Sequence, residues 1–137
     1  MRLLLLLAVL LAGDPWTEKD LMQPPEVAAH LKGALVIHVG FNVLYRAAHI
    51  PGSEYAGPGS KAEGIELLKK AVAGQPKDRE IVLYCGCCPW EKCPNIRPAF
   101  AALHEMGFSK VRVMVVPKDF KTDWDDKGYP TEKRAAE

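Results

Sequence analysis

Outside one stretch of nine residues this chain has no cysteine. All four, Cys85, Cys87, Cys88 and Cys93, fall inside that stretch. A disulfide framework tying distant segments together is therefore excluded, and pairing inside so short a loop closes only small rings with little entropic gain. Adjacent Cys87 and Cys88 would bond to each other only under strain. An excess of one charge is also lacking. The 18 basic and 17 acidic residues leave a net +1 with no basic block, which gives no support to a nucleic-acid or anionic-membrane surface. No arginine stands six positions after any cysteine, so the Cys-x5-Arg loop of thiol-based phosphoryl transfer is missing. Nor does a tryptophan directly precede Cys85-Gly86-Cys87-Cys88, which weakens a thioredoxin-like reading of that Cys-x-x-Cys. Internal repeats and low-complexity linkers are absent too.

What is present fits one domain. The chain has 137 residues, 48% of them apolar and 26% charged, enough for a core of ordinary size. Met1-Arg2 followed by Leu3 to Ala12 and then Gly13-Asp14-Pro15 has the positive start, short apolar stretch and small residues of a secretory signal peptide. The stretch is short of the roughly 20 residues a membrane span needs. The expected organisation is a signal peptide over 1–13 and one domain over 14–137, with a periplasmic or secreted location. Loss of Arg2 leaves 17 charges of each sign.

Hydrophobic spacing sets out alternating strands and helices. Ala34–Val39, Ile81–Tyr84 and Val111–Val116 read as central strands, and Glu54–Ala56 as a short one. Pro25–Leu31, Phe41–Ala48 and 96–106 read as helices, the last with Phe100, Leu103 and Met106 inward. Another helix runs to Gly74 from a capping-box spacing at Ser60–Glu63, and a final one spans Asp119–Lys127. The implied fold is α/β, a mainly parallel central sheet of about five strands with helices on both faces.

The cysteines follow directly on Ile81–Tyr84 and precede a helix start at Asn95-Ile96-Arg97-Pro98. A thiol between a parallel strand and a helix N-terminus meets backbone N–H groups and the positive helix end, which favour thiolate over thiol. Sulfur or redox chemistry is the expectation. Cys85, at the strand end, is the first candidate nucleophile. Its rival is Cys93, two residues before Asn95 and closer to the helix dipole. Arg97 is a candidate clamp for an anionic sulfur donor, against a plain reading as a surface arginine. Trp90 either lids the loop or packs beneath it. The histidines read blandly: His30 and His104 at the surface, His49 fixing a turn, and His38 a satisfied core residue at a strand end. Four thiolates could hold zinc or copper(I), but structural zinc sites usually take ligand pairs from two segments and one nine-residue loop poorly wraps a tetrahedral ion, so no metal is expected.

Several strings in order resemble a single rhodanese domain, a sulfurtransferase module, over about Asp20 to Pro130. They are His49-Ile50-Pro51-Gly52-Ser53, the strand Ile81–Tyr84 ending in Cys85, Ala101-Ala102-Leu103 through Gly107-Phe108 and Val111, and Asp123-Trp124 with Gly128-Tyr129-Pro130. The resemblance implies a persulfide carried on Cys85, with Gly86, Cys87, Cys88 and Arg97 around the substrate and Cys93 as an alternative or resolving thiol. Three departures stand out. His38-Val39-Gly40 replaces the family's Asp-Val-Arg, Pro117-Lys118-Asp119-Phe120 replaces a Gly-Gly, and the cysteine loop is longer by about five residues.

The function expected is transfer of sulfane sulfur from a small donor to a thiol acceptor through a cysteine persulfide, with no cofactor. The alternatives are a thiol–disulfide redox protein using the Cys85–Cys93 cluster, or a non-catalytic rhodanese-like binding module. No nucleic acid and no lasting membrane contact after signal removal are expected, and no protein partner is specified.

Overall fold

Strand side chains alternate between the faces of a sheet, and that alternation sorts this chain into two cores. Ile81, Leu83 and Cys85 join one core and Val82 and Tyr84 the other. The computed structural model describes residues 13–133; the expected signal peptide falls, except for Gly13, outside them. Among the described residues no helix is long and apolar enough to cross a membrane.

In chain order the elements are β1 (Leu21–Met22), α1 (Pro24–Ala29), β2 (Leu35–His38), α2 (Asn42–Ala47), β3 (Glu54–Tyr55), α3 (Ala62–Val72), β4 (Ile81–Tyr84), α4 (Ile96–Glu105) and β5 (Val111–Met114). The strands make one sheet in the order β1-β5-β4-β2-β3, every neighbour parallel. This is the expected α/β architecture. β4 is buried at every residue, as a central strand of a parallel sheet covered on both faces must be. On one face α3 and α4 supply Leu68, Val72, Ile96, Phe100 and Leu103. On the other, Val27 of α1 packs with Phe120 and Trp124.

Topology selects the functional edge. The chain steps outward from β2 to β3, then returns to lay β4 on the other side of β2. Ligands in open α/β sheets bind outside the carboxyl ends of strands at such a reversal. Here that places Val39-Gly40 beside Cys85, with the Val39 N–H bonded to the Tyr84 carbonyl at 2.9 Å.

Three expectations need correction. The helix expected to start with a Ser60–Glu63 capping box begins at Ala62 with Lys61 as its cap residue. The Ser60 N–H instead bonds the Asn95 side-chain oxygen at 3.1 Å. The final helix is one wide turn, Lys121–Asp125. The Asp123 carboxylate holds the Lys118 and Asp119 N–H groups, and the Trp124 ring N–H is bonded to the Pro130 carbonyl at 2.8 Å. β1 was unforeseen, because two residues are too few to show a period. It is held by β5, whose ladder continues from the Val115 N–H to the Met22 carbonyl at 2.8 Å.

Candidate functional site

β4 and α4 bring the two ends of the cysteine loop together. Cys85 leaves β4 directly after Tyr84. The loop then runs through a short 3-10 turn, Trp90–Lys92, whose Trp90 N–H is bonded to the Val116 carbonyl at 2.9 Å. That anchor folds the loop back, and Cys93 arrives over Cys85 just before α4. The sulfurs of Cys85, Cys87 and Cys93 all lie within 4.8 Å of one another. Those of Cys85 and Cys87 are 3.5 Å apart and those of Cys87 and Cys88 2.9 Å. All four are free thiols. Cys85 and Cys93 are buried, while Cys87 and Cys88 are half-buried.

The two buried thiols titrate in opposite directions. Cys93 is lowered to about 6, first by the Cys85 thiol facing it and then, against burial, by the Asn95 and Ile96 N–H groups at the start of α4. Cys85 is pushed up, first because its proton serves Cys93 and then by burial. Facing each other, the two thiols titrate as a pair, the shifts favouring the anion at Cys93 over Cys85. Cys88 is pushed up to about 12, by burial first and then by Cys87. The helix start thus acts on Cys93, the rival of the strand-end cysteine.

Asn95 is more than the cap residue its position suggests. Fully buried, it accepts from the Ser60 N–H through Oδ1 and directs Nδ2 at the Cys85 sulfur, 3.7 Å away. The Asn95 carbonyl packs so closely on Gly59 that a Cβ there would collide with it. Gly40 plays a similar part beneath Cys85: a Cβ would sit 2.7 Å from the Cys85 sulfur and 2.9 Å from Cε1 of His38. The glycine in place of the family's arginine thus makes room for this sulfur. A polar residue directly before a helix, and a glycine following a buried strand, are the only sequence signals of these roles.

Other residues singled out by sequence fall elsewhere. Arg97 is bonded through Nε and Nη2 to Asp14, at 2.9 and 2.7 Å, and lies 5.2 Å over the Trp16 ring. It is paired with the N-terminal segment through a partly exposed contact. Trp90 packs against Trp16 with ring centres 5.7 Å apart, the packing alternative rather than the lid. His38 is buried, accepts the Gly40 N–H at 3.1 Å and stands edge-on to Tyr84. Its pKa is lowered to about 3, by burial first and then by repulsion from His49. His49 bonds the Tyr45 carbonyl and Glu132, at 2.7 and 3.0 Å, fixing its turn as expected.

Clefts flank the loop on both sides. One, of about 310 Å³, is lined by His38, Leu44, Ala48, Gly86, Phe120 and Lys121 among others. The second, of about 350 Å³, is lined by Pro89, Trp90, Glu91 and Lys92 from the loop together with Leu21 and Gln23. Neither lining includes a cysteine.

A five-stranded parallel sheet in the order β1-β5-β4-β2-β3, with helices on both faces and the cysteine loop at its carboxyl edge, defines the class: the chain has the rhodanese-like fold. The Alr3790 protein from Anabaena sp. superposes with a TM-score of 0.64 at 19% identity, over 84% of this chain and 94% of that one. The rhodanese-like domain of the same protein in solution gives 0.59 at 20% identity, over 83% and 79%. The 3-mercaptopyruvate sulfurtransferase from Leishmania major gives 0.62 at 16% identity, over 90% of this chain and 39% of that longer one. No protein-family model and no curated protein matches the sequence.

Proposed function

We propose that the protein transfers sulfane sulfur through a persulfide formed in the Cys85–Cys93 pair, in an exported, periplasmic or secreted setting. The observation that carries this reading is the pair itself: two buried thiols, one of them lowered by the helix start, face each other where a strand end meets a helix. The named sulfurtransferase among the structural neighbours supports the reaction class.

Cys93 attacks first, because it is the thiol of the pair whose pKa is lowered. Its thiolate attacks the outer sulfur of thiosulfate or of a persulfide donor. A new S–S bond forms on Cys93, the donor's S–S bond breaks, and sulfite or a thiolate leaves with the electron pair. The Asn95 and Ile96 N–H groups that lower Cys93 also favour the anionic persulfide. Cys85 keeps its proton during attack. It then either stands by while an external thiol takes the outer sulfur, or attacks the inner one, giving a Cys85–Cys93 disulfide and hydrosulfide. This intramolecular route is where the redox alternative meets the transferase reading.

Intact mass spectrometry of the reduced protein after incubation with thiosulfate, followed by peptide mapping, tests this. One added sulfur on Cys93, removable by a reductant, is the expected result. The same adduct on Cys85 would reverse the roles of the pair. No adduct from thiosulfate or a persulfide donor, with hydrogens lost in pairs, would replace sulfur transfer by disulfide exchange.

A further inference from the structure

Sulfur transfer employs two thiols, and the loop brings three together. We propose that Cys85, Cys87 and Cys93 form a three-sulfur site for monovalent copper.

The spacing suits a three-coordinate ion. With metal–thiolate bonds of about 2.3 Å, three sulfurs in a plane around one ion lie about 4 Å apart. These three lie within 4.8 Å of one another, and Cys85 and Cys87 are at 3.5 Å, so shifts of a fraction of an ångström suffice. They come from both ends of the loop: Cys85 and Cys87 are separated only by Gly86, and Cys93 returns from the far side. A nine-residue loop that cannot easily surround a tetrahedral ion can still offer three sulfurs to one side of a trigonal ion.

Donor chemistry selects the metal. The group holds no carboxylate and no imidazole among the described residues, so hard cations have nothing to bind. All-sulfur sites select soft ions such as Cu(I), whereas structural zinc takes four protein ligands. Cys88, the one further thiol, neighbours Cys87 at 2.9 Å but lies outside the set of sulfurs that all converge. Burial of Cys85 and Cys93 keeps water from supplying a fourth ligand on their side. Binding exchanges S–H protons for Cu–S bonds and releases those protons to solvent. Copper stays monovalent, so no electron moves and no oxidant is needed. The proposal does not rest on sulfur transfer, although a bound ion would occupy both thiols of the reacting pair.

Anaerobic titration of the reduced full chain with Cu(I) against bathocuproine disulfonate reads the site directly. One copper retained per chain is expected, with X-ray absorption showing three sulfurs at about 2.3 Å. Cys87→Ser and Cys93→Ser should each weaken retention at least tenfold, and Cys88→Ser less than threefold. Loss of all copper to the chelator from a protein with four titratable thiols would overturn the proposal. So would full retention by Cys87→Ser, a Cys88→Ser effect as large as that of Cys87→Ser, or tighter retention of Zn(II) with four sulfurs. Because no sulfur donor is present, failure here leaves the persulfide experiment untouched, and the reverse also holds.

Discussion

Tyr84 and Cys85 are adjacent in sequence and anchor polar clusters of opposite character on the two faces of the sheet. On the Tyr84 side nearly every group is matched by a partner. The Tyr84 hydroxyl accepts the Ile50 N–H at 3.1 Å and pairs with the Ser53 hydroxyl at 2.9 Å. The Tyr45 hydroxyl donates to the Ser53 carbonyl at 2.7 Å, and His49 stacks on Tyr45 with ring centres 3.9 Å apart. On the Cys85 side, three sulfurs share weak, long contacts with one another and with Asn95. A satisfied buried network rigidifies a core. Thiols held by soft, long sulfur contacts and a helix N-terminus retain reactivity toward a ligand or substrate. Tyr84 is moreover pushed up in pKa by burial, so its hydroxyl stays neutral, whereas Cys93 across the sheet is lowered.

Substitutions that separate the two faces give the clearest tests, and the largest effect belongs to the sulfur side. Cys93→Ser should reduce sulfur uptake from thiosulfate at least about 1000-fold, as loss of a nucleophile does, while circular dichroism still reports a folded chain.

Acid should act through the other side. His38 has a folded pKa of about 3 against an ordinary 6.5, so between those values the unfolded chain binds a proton that the folded one refuses. Stability contributed by neutral His38 is complete above pH 6.5 and falls as pH drops toward 3, by about 1.4 kcal/mol per pH unit at most. Urea unfolding at a series of pH values should show this slope, and His38→Leu should flatten it.

Tyr84→Phe should lower stability by about 1–3 kcal/mol in urea unfolding, because the Ile50 N–H and Ser53 hydroxyl lose their buried partner. Its sulfur uptake should stay within about twofold of the parent; a loss comparable to that of Cys93→Ser would show that the two faces act as one site. The smallest effect is expected from Arg97→Ala. Its ion pair with Asp14 is largely exposed, and such pairs contribute under about 1 kcal/mol to a thermal unfolding measurement.

Much of the fold was legible because apolar spacing reports burial. Ile81–Tyr84 and Val111–Met114 stand out as strands, and Phe100 with Leu103 marks the inner face of α4. β1 and the wide turn at Lys121–Asp125 were not legible, since the first depends on pairing with β5 and the second on side chains capping the backbone. At the site, the strand end and helix start that hold Cys85 and Cys93 could be read in advance. Arg97 could not be placed, because its partner Asp14 lies 83 positions away.

By itself the sequence determined that four thiols lie in one loop between a central strand and a helix, within a parallel α/β sheet. Local spacing suffices for that, because the periods of strands and helices are set by backbone geometry. Only the tertiary structure decided which of those thiols meet and which of them the helix start lowers. The turn of the loop against Val116 and the room left by Gly40 bring Cys85 and Cys93 together, and the N–H groups at the start of α4 favour the anion at Cys93. Distances between side chains far apart or oppositely directed along the chain govern ionisation, and no periodicity encodes them.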